Sequence, residues 1–160
     1  MFKKKVVLGV LLVLLATALW VPTADAQGPP PMGSWITTTT VTAFPPFKSL
    51  FTFGLYGTLV SSQAYLLPAG PGGGKLVYSS AHGVWDRAPN GDIAITFVTL
   101  IHDDNGNFLG TSKVRGTFRI SPGGDTLTGT AKAENRDPAG NLLFSFDATV
   151  TGTRIVLEPM

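Results

Sequence analysis

The side chains able to do chemistry are few. The 160 residues hold two histidines, His82 and His102, and no cysteine. The histidines are not at metal-ligand spacing and no HExxH is present. A Gly-x-Ser-x-Gly nucleophile elbow is also absent. Neither a metal nor a cofactor is therefore expected. The run from Gly70 to Lys75 has the glycines of a phosphate loop, but the wrong spacing and no following Ser or Thr. Asp103 to Asn107 resembles a calcium loop only in composition, since its glycine comes two places early. What is left is uncharged hydrogen-bonding chemistry from Tyr78, His82, Thr99, Ser112 and Asn135. Its meaning depends on which elements bring these residues together.

Those elements are set by turns. Gly, Pro, Asn and Asp cluster at 44–49, 54–57, 68–75, 88–92, 103–107, 121–125 and 137–141, supplying the dihedrals that tight turns need. Between them lie 34–43, 50–53, 58–67, 76–87, 93–102, 108–120, 126–136 and 142–157, with no capped 3.6-residue apolar period. The strongest unit is the hairpin from Ile93 to Ile120, folded at Asn105-Gly106. Eight short strands joined by short loops predict an all-β chain. The expected fold is an eight-stranded antiparallel up-and-down barrel, because closure removes exposed edges.

Two-residue loops at Asn90-Gly91, Asn105-Gly106, Gly123-Gly124 and Ala139-Gly140 would fix the register of the last five strands. The inward set is then Val84, Ile95, Phe97, Ile101, Val114, Phe118, Leu127, Ala131, Phe144, Phe146 and Val150. Strands 6 to 8 turn Thr111, Lys113, Arg115, Thr117, Arg119, Thr128, Lys132, Glu134, Asp147 and Thr149 outward. His82, Thr99, Ser112, Asn135 and Phe144 align as one row across the interior, with Tyr78, Ser80 and Ser62 on the same face. Two readings stay open. The row satisfies itself as core structure, or it supplies the oriented groups of an apolar pocket. In the second case the ligand-binding residues are His82, Thr99, Ser112, Asn135, Tyr78, Phe97 and Phe144. As the one inward imidazole, His82 could serve a cyclase or isomerase. No nucleophile–base pair stands out, so no catalytic residue is assigned. A fully packed structural barrel is the third possibility. Both the pocket and these roles require Phe97, Phe118 and Phe146 to meet inside and His82 to point inward.

On the outer face Leu59, Tyr65, Trp85, Val98 and Leu100 would form an apolar patch, suggesting a homo-oligomer. Its alternative is a slip or bulge that turns Trp85 inward.

Residues 1–26 read as a secretory signal peptide. Lys3, Lys4 and Lys5 precede the apolar run Val6 to Val21, and Ala24-Asp25-Ala26 is a cleavage pattern. Residues 27–33 would be a flexible lead-in and 34–157 one domain. The expected product is secreted, extracellular or periplasmic, without a stable membrane span after cleavage. Nine basic and nine acidic residues remain once Lys3, Lys4, Lys5 and Asp25 leave. A neutral chain offers no field for nucleic acid. The expected partner is a small apolar or amphipathic molecule.

Gly33-Ser34-Trp35 opens the first strand and Arg154 lies near the end of the last. This resembles the calycin superfamily, which includes lipocalins, fatty-acid-binding proteins and avidins. In that superfamily a Gly-x-Trp begins strand one and a basic residue from the final strand packs over the indole. The resemblance implies a ligand-binding barrel with Arg154 against Trp35 as a cation–π pair, and Asp125 falls opposite Arg154 as a partner. Asp103 to Gly110 is similar to an outline found in allene oxide cyclase and dirigent-type barrels, also eight-stranded. That likeness implies an oligomeric, cyclase-type barrel.

Overall fold

The computed structural model describes residues 28–42, 44–63, 66–68 and 75–159. The signal-peptide reading therefore lies outside the described residues, as do Gln27 and Tyr65. The strands are β1 (Gly33–Val41), β2 (Phe44–Phe53), β3 (Thr58–Gln63), β4 (Leu66–Pro68), β5 (Lys75–Tyr78), β6 (Ala81–Arg87), β7 (Ile93–His102), β8 (Phe108–Ile120), β9 (Thr126–Arg136) and β10 (Leu142–Arg154). A 3-10 turn, Leu55–Gly57, joins β2 to β3. The strands β1, β2, β3, β6, β7, β8, β9 and β10 pair in that order, all antiparallel, and β10 returns to β1. The expected eight-stranded up-and-down barrel is thus present and closed.

Three departures from the expected strands have local causes. The 44–49 turn cluster is mostly strand. Pro45 and Pro46 sit at an irregularity in the β1–β2 ladder, beyond the last β2–β3 pair, Ser49 with Gln63. No ladder N–H is needed there, so proline is tolerated. The expected strand 58–67 divides into β3 and β4. The expected strand 76–87 breaks at Ser79-Ser80 into β5 and β6. Thr99 mends this break, its Oγ1 donating to the Ser79 carbonyl at 2.8 Å, while the Leu100 N–H donates to Ser79 Oγ at 3.0 Å.

The register of β6 is the main correction. Three hairpins close on three-residue loops rather than two. The N–H groups of Gly91, Gly106 and Gly140 donate to Ala88, Asp103 and Asp137, and all three glycines have positive φ. Such a loop displaces the pairing by one residue. In β7–β8 and β9–β10 a bulge at Leu109 and at Leu143 restores it. No bulge follows the β6–β7 turn, so β6 is turned over, and so is β3 beside it, where Ser61 rather than Ser62 faces in. Val84, expected inside, is 62% exposed, and Trp85, expected outside, packs against the core. Leu59 is buried as well. The outer patch thus loses Leu59 and Trp85, keeping Val98 and Leu100 as exposed residues. The other ten residues of the inward set line the interior or pack in the core, apart from Phe144 at the rim.

One end of the barrel is filled. Trp35, Phe53, Leu59, Ile93, Phe118 and Leu127 are fully buried there, and Trp85 meets Phe53 edge to face at 6.1 Å. The Arg154 guanidinium lies 4.3 Å from the centre of the Trp35 ring. It donates to the carbonyls of Gly124 (2.6 Å), Pro30 (2.9 Å) and Met32. Asp125, the expected partner, instead accepts from Ser121 Oγ at 2.7 Å. Gly33 makes room for this arrangement: a Cβ there would lie 3.1 Å from Arg154 Nη1. The proline run expected as a flexible lead-in makes defined contacts. Arg87 donates to the Pro29 carbonyl at 3.0 Å and Trp35 Nε1 to that of Pro31 at 2.9 Å.

The turns at the other end are clasped by carboxylates. Asp103 and Asp137 each accept from an asparagine side chain, Asn107 at 2.7 Å and Asn141 at 2.9 Å. These hydrogen bonds hold both carboxyls below the usual range, as the Arg119, Ser121 and Arg136 side chains do for Asp92, Asp125 and Glu134. Such groups protonate in the unfolded chain first, so their contribution is complete above the unfolded values and lost as pH falls through the folded ones. The melting temperature should be flat above about pH 5 and fall below about pH 4. An unchanged midpoint down to about pH 2.5 would refute this.

Candidate functional site

Away from the filled end the inward side chains do not close the interior. A cavity of about 310 Å³ remains. The edge-to-face pair Phe51 and Phe97 and the tilted pair Phe51 and Phe118, each 5.9 Å apart, lie in its floor. Val114, Ala131, Ala133, Ala148 and Val150 form walls, and the small alanines leave the space. Phe144 and Phe146, stacked at 6.3 Å, stand with Pro45 and Pro46 towards the mouth.

The polar belt is present in altered form. Thr99, Ser112, Asn135 and Tyr78 line the cavity, and the pairings Thr99–Ser112, Ser112–Asn135 and Asn135–Phe144 are as expected. Phe97 is in the floor and Phe144 is half exposed at the rim. His82 is the error. It pairs with Val98 and Val60 on the outer face and is exposed, because β6 is turned over. The condition that His82 point inward therefore fails, and with it the cyclase role given to its imidazole. The pocket survives because Phe97, Phe118 and Phe146 share the cavity wall without it. Ser80 and Ser62 do not line the cavity either.

Within the belt the residues differ in what they have left to offer. Thr99 is spent on the Ser79 break. Burial pushes the Tyr78 phenol above the usual value, outweighing the opposite influence of the Asn135 side chain beside it. Asn135 is 3% exposed, and its Oδ1 has no hydrogen-bond partner among the described residues. Ser49, Ser61 and Gln63 on β2 and β3 complete the polar lining. Sequence reading missed them because no two-residue loop ties β2 and β3 to the counted register. The alternation Ser49, Phe51, Phe53 against Leu59, Ser61, Gln63 was the available signal.

Among the described residues no group of three His, Asp or Glu side chains could hold a metal ion. The site is a mainly apolar chamber whose described lining carries a few uncharged hydrogen-bonding groups. Comparisons of the chain with protein-family models, curated proteins and solved structures found no match.

Proposed function

We propose that this is a secreted binding protein that holds one small apolar or amphipathic molecule inside its barrel. The observation that carries the reading is the cavity of about 310 Å³, whose walls are apolar apart from a few uncharged polar side chains. That volume is at the lower end of small-molecule sites, and the composition is the usual one. A packed structural barrel would be expected to fill this volume with side chains, as the opposite end does. The contact of Arg154 with Trp35 beside Gly33 supports a calycin-like relationship. Fold alone does not fix function, so the weight rests on the chamber.

The test uses protein stripped of bound lipid and a neutral solvatochromic dye such as Nile red. One dye should bind per chain with a blue-shifted emission. Ala133→Phe fills the space between Val114 and Phe146. It should weaken dye binding about tenfold or more while the circular dichroism spectrum stays that of a β-barrel. His82→Ala, on the outer face, should change neither binding nor stability by more than about 0.5 kcal/mol. Absence of saturable uptake, or undiminished uptake by folded Ala133→Phe, would overturn the reading.

A further inference from the structure

The chamber carries information about the charge of its occupant. No Arg, Lys, His, Asp or Glu is among its described lining residues. Residues 43, 64–65 and 69–74 contain none in their sequence either. Among the described lining residues Tyr78 is the one titratable group, and its raised phenol stays protonated at neutral pH. An anion seated here would lose its water without gaining a cation, which costs several kcal/mol.

Unused hydrogen-bonding capacity is concentrated at one place. Asn135 Oδ1 is a buried acceptor without a partner among the described residues. Leaving such a group unpaired costs about 1–3 kcal/mol, and in native proteins it is uncommon enough to need a cause. Ser112 is directly opposite Asn135 in the β8–β9 pairing, is buried and lines the same chamber. The Asn135 amide also lies beside the Tyr78 phenol. An occupant that donates to Asn135 and accepts from Ser112 or Tyr78 would pair the orphaned oxygen and engage one hydroxyl beside it. A hydroxyl or a primary amide does both. An ionised carboxylate has no proton to give Oδ1 and would set its charge against an unpaired acceptor.

We infer that the barrel selects uncharged amphiphiles with a single hydroxyl or amide head. The head is held by Tyr78, Ser112 and Asn135, and the apolar remainder lies on Phe51, Phe97 and Phe118. Fatty-acid carboxylates are rejected. This rests on the binding reading above and specifies its ligand class.

The experiment measures displacement of the neutral dye by 1-decanol, decanoic acid and decane at pH 8. The alcohol should bind about tenfold or more tightly than the carboxylate and about threefold or more tightly than the alkane. The acid should strengthen as pH is lowered to about 5, where it is partly neutral and the protein is still fully stable. Asn135→Leu should erase the advantage of alcohol over alkane without weakening alkane binding. Should that variant not fold, Ser112→Ala should reduce the same advantage by at least half. Dye binding with equal affinity for alcohol and carboxylate, or for alcohol and alkane, overturns the head-group assignment alone. Failure of the dye and all three ligands overturns the binding reading and this inference with it.

Discussion

Gly110→Ala is expected to cost about 3 kcal/mol or more and to lower the melting temperature by roughly 10 °C. Gly110 has φ of +137°, and a Cβ there would lie 1.9 Å from the Arg136 carbonyl oxygen. No side-chain rotation relieves a contact between a Cβ and a neighbouring strand's backbone. The position also follows Leu109, the extra residue that corrects the β7–β8 pairing after the turn at Gly106. If the strand escapes the clash by giving up the bulge, Thr99 and Ser112 no longer share the inner face. Thermal unfolding followed by circular dichroism measures the effect. A loss below about 1 kcal/mol would mean that the bulge does not depend on this glycine.

Arg154→Leu should cost about 3 kcal/mol in urea unfolding. The substitution removes the cation from the face of Trp35 and strands three carbonyls, those of Pro30, Met32 and Gly124. Arg154→Lys keeps the charge, but a single ammonium lacks the planar fork that reaches all three, so it should recover less than half of the loss. Full recovery by lysine would show that charge over the indole, not the fork, is what matters. Less than about 1 kcal/mol lost in the leucine variant would show that the filled end holds without this residue.

The architecture was readable because turn chemistry and strand alternation repeat along the chain with little interruption. From Ile93 to the end, the pairings were placed correctly although two loops were counted one residue short. The bulges at Leu109 and Leu143 cancel those errors. The β6–β7 turn has the same three-residue form and no such correction, which is why His82 and Trp85 exchanged faces. Nothing in the sequence of a hairpin tip states whether a bulge will follow. Of the site, Thr99, Ser112, Asn135, Tyr78, Phe97 and Phe144 were reached through register. Ser49 and Phe51 were not, because Pro45-Pro46 made the start of β2 look like a loop, and Ser61 was not, because β3 was given the opposite face. That Asn135 Oδ1 lacks a partner among the described residues depends on where side chains stop in three dimensions, which no linear pattern records.

The pinned proline run and the broken strand sit at opposite ends, and they hold those ends of the barrel unequally. Five carbonyls held by Arg154, Arg87 and Trp35 bolt the far end. By contrast β5 is attached to β7 through two residue pairs, Val77 with His102 and Tyr78 with Ile101. A seam so lightly stitched opens at far smaller cost than the long ladders beside it. Tyr78 stands on that short strand and lines the chamber, so any parting of β5 from β7 would carry one of the chamber's polar groups with it.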